Sequence, residues 1–116
     1  MKLYTAGPMS GYPDFNYPAF RAAEQQLLTA GYSVLCPVDS EEHNDTGKPQ
    51  AWDWYMRHAL RMVLDAEGLA VLPGWEASRG AQLEVQVATA LGLPVRPVDE
   101  WASTERLLRG RRARTP

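Results

Sequence analysis

The chain has one cysteine, Cys36, and therefore cannot form an internal disulfide. That cysteine falls in an apolar stretch, which fits a buried thiol in a reducing cytoplasm. Zinc-type Cys/His spacing is missing, and His43 and His58 stand alone, so no metal site is implied. No apolar run reaches membrane-spanning length, and Met1-Lys2 leads into a short strand rather than a signal segment. Neither G-x-G-x-x-G nor a P-loop occurs, which removes the two commonest phosphate cradles. Internal repeats and a domain linker are also lacking, so 116 residues read as one domain with one core.

Charge is plentiful but unevenly spread. Residues 1–105 carry 7 Lys and Arg against 14 Asp and Glu, whereas RLLRGRRARTP (106–116) has five arginines and no acid. Such a tail either touches nucleic acid or is a soluble terminus. The second reading is preferred, with residues 1–105 as the domain.

Strand and helix patterns alternate four times. KLYTA (2–6), YSVLCPV (32–38), GLAVLP (68–73) and LPVRPV (93–98) read as strands. Helices are expected over 15–31, 51–66 and 78–92, with a last one opening at WASTERLLRG. Asn16 and Ser78 are candidate N-caps, Pro18 lies in the first turn of its helix, and Gly31 and Gly92 close theirs. Phe20, Ala23, Leu27 and Leu28 form the buried stripe of the first helix; Trp54, Met56–Ala59, Met62 and Val63 lie near the inner face of the second. The polar stretch 37–50 has no periodicity and is either a functional loop, such as a lid, or a loose one. This alternation calls for an α/β three-layer sandwich with a parallel sheet of four to five strands. If the order is 2-1-3-4, a ligand sits at the carboxyl ends of strands one and three, where the order reverses.

The loops at those ends are YTAGPMSG (4–11) and LPGWEASRG (72–80). Gly7 and Gly11 permit positive φ and close approach of backbone, Pro8 stiffens the turn, and Ser10 offers a hydroxyl. Ser78 at a helix start is a seat for phosphate or a sugar hydroxyl. Gly80 and Glu84 share a helix face about 6 Å apart along the axis, and the missing side chain of Gly80 leaves room beside the carboxylate. Glu84 is either a solvated surface carboxylate or a nucleophile set beside a sugar, attacking an anomeric carbon through an oxocarbenium-like transition state. Trp75 walls a base pocket or packs in the core, and Trp52 and Trp54 stack a base or pack their helix.

Three motifs, Y-x-A-G-P-M-S/T-G, F-N-x-P-A-F and L-P-G-W-E-x-S-x-G-A-x-x-E, together resemble those of a widespread bacterial and phage family. That family is related to the nucleoside 2-deoxyribosyltransferases and the deoxynucleoside 5′-monophosphate N-glycosidases, and the likeness covers roughly residues 2–98. The resemblance implies a flavodoxin-like (Rossmannoid) fold, a homo-oligomer, a nucleoside or nucleotide ligand, transferase or hydrolase chemistry, and no cofactor. It gives Glu84 as the nucleophile, Tyr4 as its positioner and Ser78 as the group holding the 5′ end. Gly7 and Gly80 match the glycines that let substrate lie against backbone, and Pro8, Met9, Ser10 and Trp75 join them as candidate substrate-binding residues from the two turns. One match fails. Where relatives carry an aspartate that assists the departing base, this chain has Ala59 or its immediate neighbourhood, leaving His58, Asp65 and Glu67 as candidate acids. Loss of a general acid typically removes ~10²–10⁴ in rate. A non-catalytic nucleotide-binding protein on the same fold is therefore the main rival, and a nucleic-acid accessory protein using the arginine tail is a third reading.

Overall fold

The computed structural model describes residues 1–103. Four parallel strands, β1 (Lys2–Ala6), β2 (Ser33–Leu35), β3 (Gly68–Val71) and β4 (Val95–Pro97), form one sheet in the order β2-β1-β3-β4. Register is carried by Tyr4 against Leu35 and Leu69, and by Val71 against Pro97. Pro97 is tolerated because β4 is an edge strand.

Side chains alternate across this sheet and split the core in two. On one face Leu3, Ala70 and Leu72 pack with Phe20, Ala23 and Leu27 of α1 (Tyr17–Thr29) and with Trp101. On the other, Tyr4, Ala6, Leu69 and Val71 meet Ala59 and Val63 of α2 (Trp52–Asp65) and Ala81 and Ala88 of α3 (Arg79–Ala90). Both strand faces are covered, which is why GLAV is continuously buried. This is the flavodoxin-like three-layer arrangement expected from the alternation. Trp101 sits in the helical stretch 98–103 and donates its indole N–H to the Leu69 carbonyl at 2.8 Å, fastening that stretch to β3. The basic tail, 106–116, lies outside the described residues.

Several local expectations change. Leu28 is not in the buried stripe of α1 but 45% exposed, because the stripe closes on Phe20, Ala23 and Leu27. β2 stops at Leu35 rather than running to residue 38, and Pro37–His43 winds into a 3-10 helix within the stretch expected to be a functional or loose loop. Asn16 is not a side-chain N-cap: it adopts left-handed backbone and its amide donates instead to the Pro8 carbonyl at 2.9 Å. Asp14, Phe15 and Asn16 are three consecutive left-handed residues (φ 52°, 52° and 63°). Such conformations cost about 1–2 kcal/mol each.

Because every strand is parallel, the three segments that follow β1, β2 and β3 emerge on one edge of the sheet. Residues 7–16, 37–50 and 72–78 therefore converge there.

Candidate functional site

The convergence encloses an open cavity of about 1000 Å³, large enough for a nucleotide. Gly7, Pro8, Met9 and Ser10 line one side, and Ser78, Gly80 and Glu84 another. The two glycine-bearing turns touch. Gly74 has φ 86°, and a Cβ there would stand 3.0 Å from the Tyr12 hydroxyl and 3.4 Å from Pro8.

At the floor lies Glu84, on the inward face of α3 and 5% exposed. Its Oε2 accepts a hydrogen bond from the hydroxyl of Tyr4, which is fully buried on β1. Burial pushes the Glu84 carboxyl up to about 8, and the Tyr4 hydrogen bond opposes that rise. Burial likewise pushes the Tyr4 phenol well up, reinforced by the adjacent Glu84 charge. Glu84 is thus a desolvated carboxyl with one specific partner, facing the cavity, and not a solvated surface carboxylate.

Ser78 caps α3, its hydroxyl accepting from the Ala81 N–H at 3.2 Å. Beside it the Arg79 guanidinium lies 4.2 Å from the Trp52 ring centroid, a cation–π contact at the cavity wall. Lys48 lines the same cavity, in the segment that follows β2.

The two outer glycines act differently from the sequence reading. Gly7 does not have positive φ; it is glycine because a Cβ would fall 2.8 Å from Leu72 Cβ, so β1 and β3 approach closely at their ends. Gly80 lines the cavity, but a Cβ there would meet Met56 Sδ at 3.2 Å, so its bareness serves α2–α3 packing as much as open space.

Four sequence candidates fall elsewhere. Trp75 packs against the Tyr4 side of the core and is not among the cavity-lining residues. Glu67 precedes β3 and accepts from the Lys2 N–H at 2.9 Å, on the amino-terminal edge of the sheet opposite the cavity. Asp65 is exposed at the end of α2. His58 stacks on Trp54 with centroids 4.1 Å apart and bonds the Trp54 carbonyl through Nδ1 at 2.9 Å. None of the three candidate acids lines the cavity, whereas Ala59 does.

Sequence reading missed a polar cluster on the wall formed after β2. Glu41 Oε1 accepts from the Tyr55 hydroxyl at 2.6 Å, and Oε2 accepts from Asn44 Nδ2 at 3.2 Å. The Glu41 hydrogen bond is the main reason the Tyr55 phenol is raised. Its only sequence signal was position: a long polar segment following a parallel strand. Among the described residues no three His, Cys, Asp or Glu side chains gather to hold a metal ion, and no helix is long and apolar enough to cross a membrane.

A family model for a domain of unknown function, DUF4406, matches residues 1–96. The chain belongs to the DUF4406 family. A solved structure of the 2-deoxyribosyltransferase from the psychrotolerant bacterium Bacillus psychrosaccharolyticus is similar to this DUF4406 chain, with a TM-score of 0.59 at 20% identity. The match covers 82% of this chain and 69% of the other. At that identity the likeness is one of fold. No curated protein matches the sequence.

Proposed function

We propose that this chain binds a 2′-deoxynucleoside or its 5′-monophosphate in the cavity and breaks or transfers the N-glycosidic bond through Glu84. The observation that carries this reading is the buried Tyr4–Glu84 hydrogen bond on the cavity floor. In its ionised form the Glu84 carboxylate attacks C1′; a C1′–O bond forms as the C1′–N bond breaks, and the base departs with the electron pair and takes up a proton. Tyr4 fixes which carboxylate oxygen is free to attack. Water, or a second base, then attacks C1′ and releases Glu84. Ser78 and Arg79, at the start of α3, supply a polar, cationic corner suited to a 5′-phosphate. On the same reading the chain is a homo-oligomer, for which light scattering is the check.

Ala59 favours a second reading: ligand held without turnover. It lines the cavity where the family resemblance calls for an aspartate, and His58, Asp65 and Glu67 do not reach that space.

Incubation with 2′-deoxynucleosides and their 5′-monophosphates, followed by chromatography for free base, decides between them. Base release that vanishes in Glu84→Ala supports the glycosidic chemistry. Absence of release, together with a nucleotide-induced thermal shift that survives Glu84→Gln, supports the binding protein instead. Neither release nor any shift would sink both.

A further inference from the structure

Glu84 aside, Glu41 is the one carboxylate lining the cavity among the described residues. It stands exposed at the rim, and its two oxygens are held by different donors: Tyr55 on Oε1 and Asn44 on Oε2. Those partners are themselves half-buried and tied down. The Gln50 N–H donates to the Tyr55 hydroxyl at 3.2 Å, and Asn44 Nδ2 also reaches the Lys48 carbonyl at 2.7 Å. The carboxylate plane is thus fixed, while each oxygen keeps a second lone pair for a ligand.

Two acceptors on one held carboxylate can match two adjacent N–H donors, the same match that makes arginine–carboxylate pairs bidentate. Among nucleobases, guanine alone presents such a fork: its N1–H and 2-amino group flank one carbon, as in a guanidine. Hypoxanthine keeps N1–H and lacks the amino group. Adenine sets its 6-amino donor beside the N1 lone pair, which would face one Glu41 oxygen repulsively. Thymine and uracil place one N–H between two carbonyls. The rings of Tyr12 and Tyr17 line the same space and can stack a purine, while the Trp52 ring there carries Arg79 on one face.

From this geometry we propose that Glu41, oriented by Tyr55 and Asn44, is a specificity-determining residue that selects a guanine-type edge. The proposal rests on the nucleoside-binding reading above and names the base that reading leaves open. A buried acceptor confronted with a base that lacks its donor discriminates through the unmade bond. At an exposed rim the discrimination is smaller, about tenfold for one missing charge-assisted hydrogen bond.

The test is calorimetric titration of the full chain with the 2′-deoxynucleosides and 5′-monophosphates of guanine, hypoxanthine and adenine, repeated on Glu41→Gln and Tyr55→Phe. Guanine should bind about tenfold tighter than hypoxanthine, the weight of its extra donor, and tighter still than adenine. In Glu41→Gln, one acceptor becomes a donor, so the guanine advantage should collapse and adenine should gain. Tyr55→Phe should narrow the guanine-to-hypoxanthine ratio by loosening the carboxylate. A Glu41 that merely braces the loop would weaken all three bases alike and leave their ratios unchanged. Equal affinities in the parent, or ratios unmoved by Glu41→Gln, overturn the guanine assignment and leave the crevice reading standing. Binding of none of the six compounds overturns both.

Discussion

Burial sets the ionisation of Glu84. Its carboxyl is raised from an ordinary 4.5 to about 8, chiefly by burial. Between those values the folded chain keeps a proton that the unfolded chain has lost. The associated stability is therefore complete below about pH 4.5 and disappears as pH rises through about 8. Thermal melts across pH 4–9 should show this decline in the parent and a flatter profile in Glu84→Gln, which has no proton to lose. Tyr4→Phe removes the one contact that lowers the Glu84 value, so its decline should extend to higher pH. If Glu84 is the nucleophile, base release should climb with pH toward 8 as the carboxylate forms. A release rate flat from pH 6 to 9 would exclude that role. At the same scale Gly7 and Gly80 make a contrasting pair. Gly7→Ala drives a Cβ to 2.8 Å from Leu72 Cβ at the end of a strand and should cost about 1–3 kcal/mol in a urea melt. Gly80→Ala meets the flexible Met56 Sδ at 3.2 Å and should cost less.

The elements that bound the site are held by local backbone devices that can be weighed separately. The left-handed run Asp14–Phe15–Asn16 sits between β1 and α1 and carries Phe15 58% exposed at the cavity edge. A glycine in place of Asp14 relieves an unfavourable conformation, which should stabilise the chain by about 1 kcal/mol in a denaturant melt. Loss of stability in Asp14→Gly would mean that the side chain, not the backbone, matters there. Asn16→Ala should move the other way, since it cuts the bond to the Pro8 carbonyl that holds the first turn against α1. Ser78→Ala removes the cap of α3 and should cost about 1 kcal/mol. If Ser78 also seats the 5′-phosphate, that variant should lose affinity for the monophosphate more than for the nucleoside. Equal losses would leave Ser78 with capping alone.

At the scale of the whole molecule, the two apolar clusters share one sheet and should melt together. Leu27 belongs to the α1 side and Leu69 to the side covered by α2 and α3. Leu27→Ala and Leu69→Ala should each lower the same single unfolding transition, by about 2–5 kcal/mol. Two separable transitions in either variant would mean that the layers are independent.

The alternation of apolar strands with amphipathic helices was enough to determine the class of fold, because a parallel sheet admits few connections, whereas the order 2-1-3-4 is a fact of the folded sheet that alternation alone left conditional. The family resemblance paired Tyr4 with Glu84, and the folded chain brings the two together across 80 residues, which no local pattern dictates. The same topology could have ruled out Glu67 from the sequence, since a residue just before a parallel strand lies on the edge opposite the site. Periodicity could not do this for His58 or Trp75, whose directions depend on how α2 and the turn after β3 pack. Nor could local preference reveal that Asn16 would leave its helix to bind Pro8, or that Glu41 would be pinned by Tyr55 and Asn44. Hydrophobic pattern and turn chemistry act between near neighbours and select the elements. Desolvation and side-chain hydrogen bonding act between residues far apart in sequence, and only the packed sheet brings those into contact.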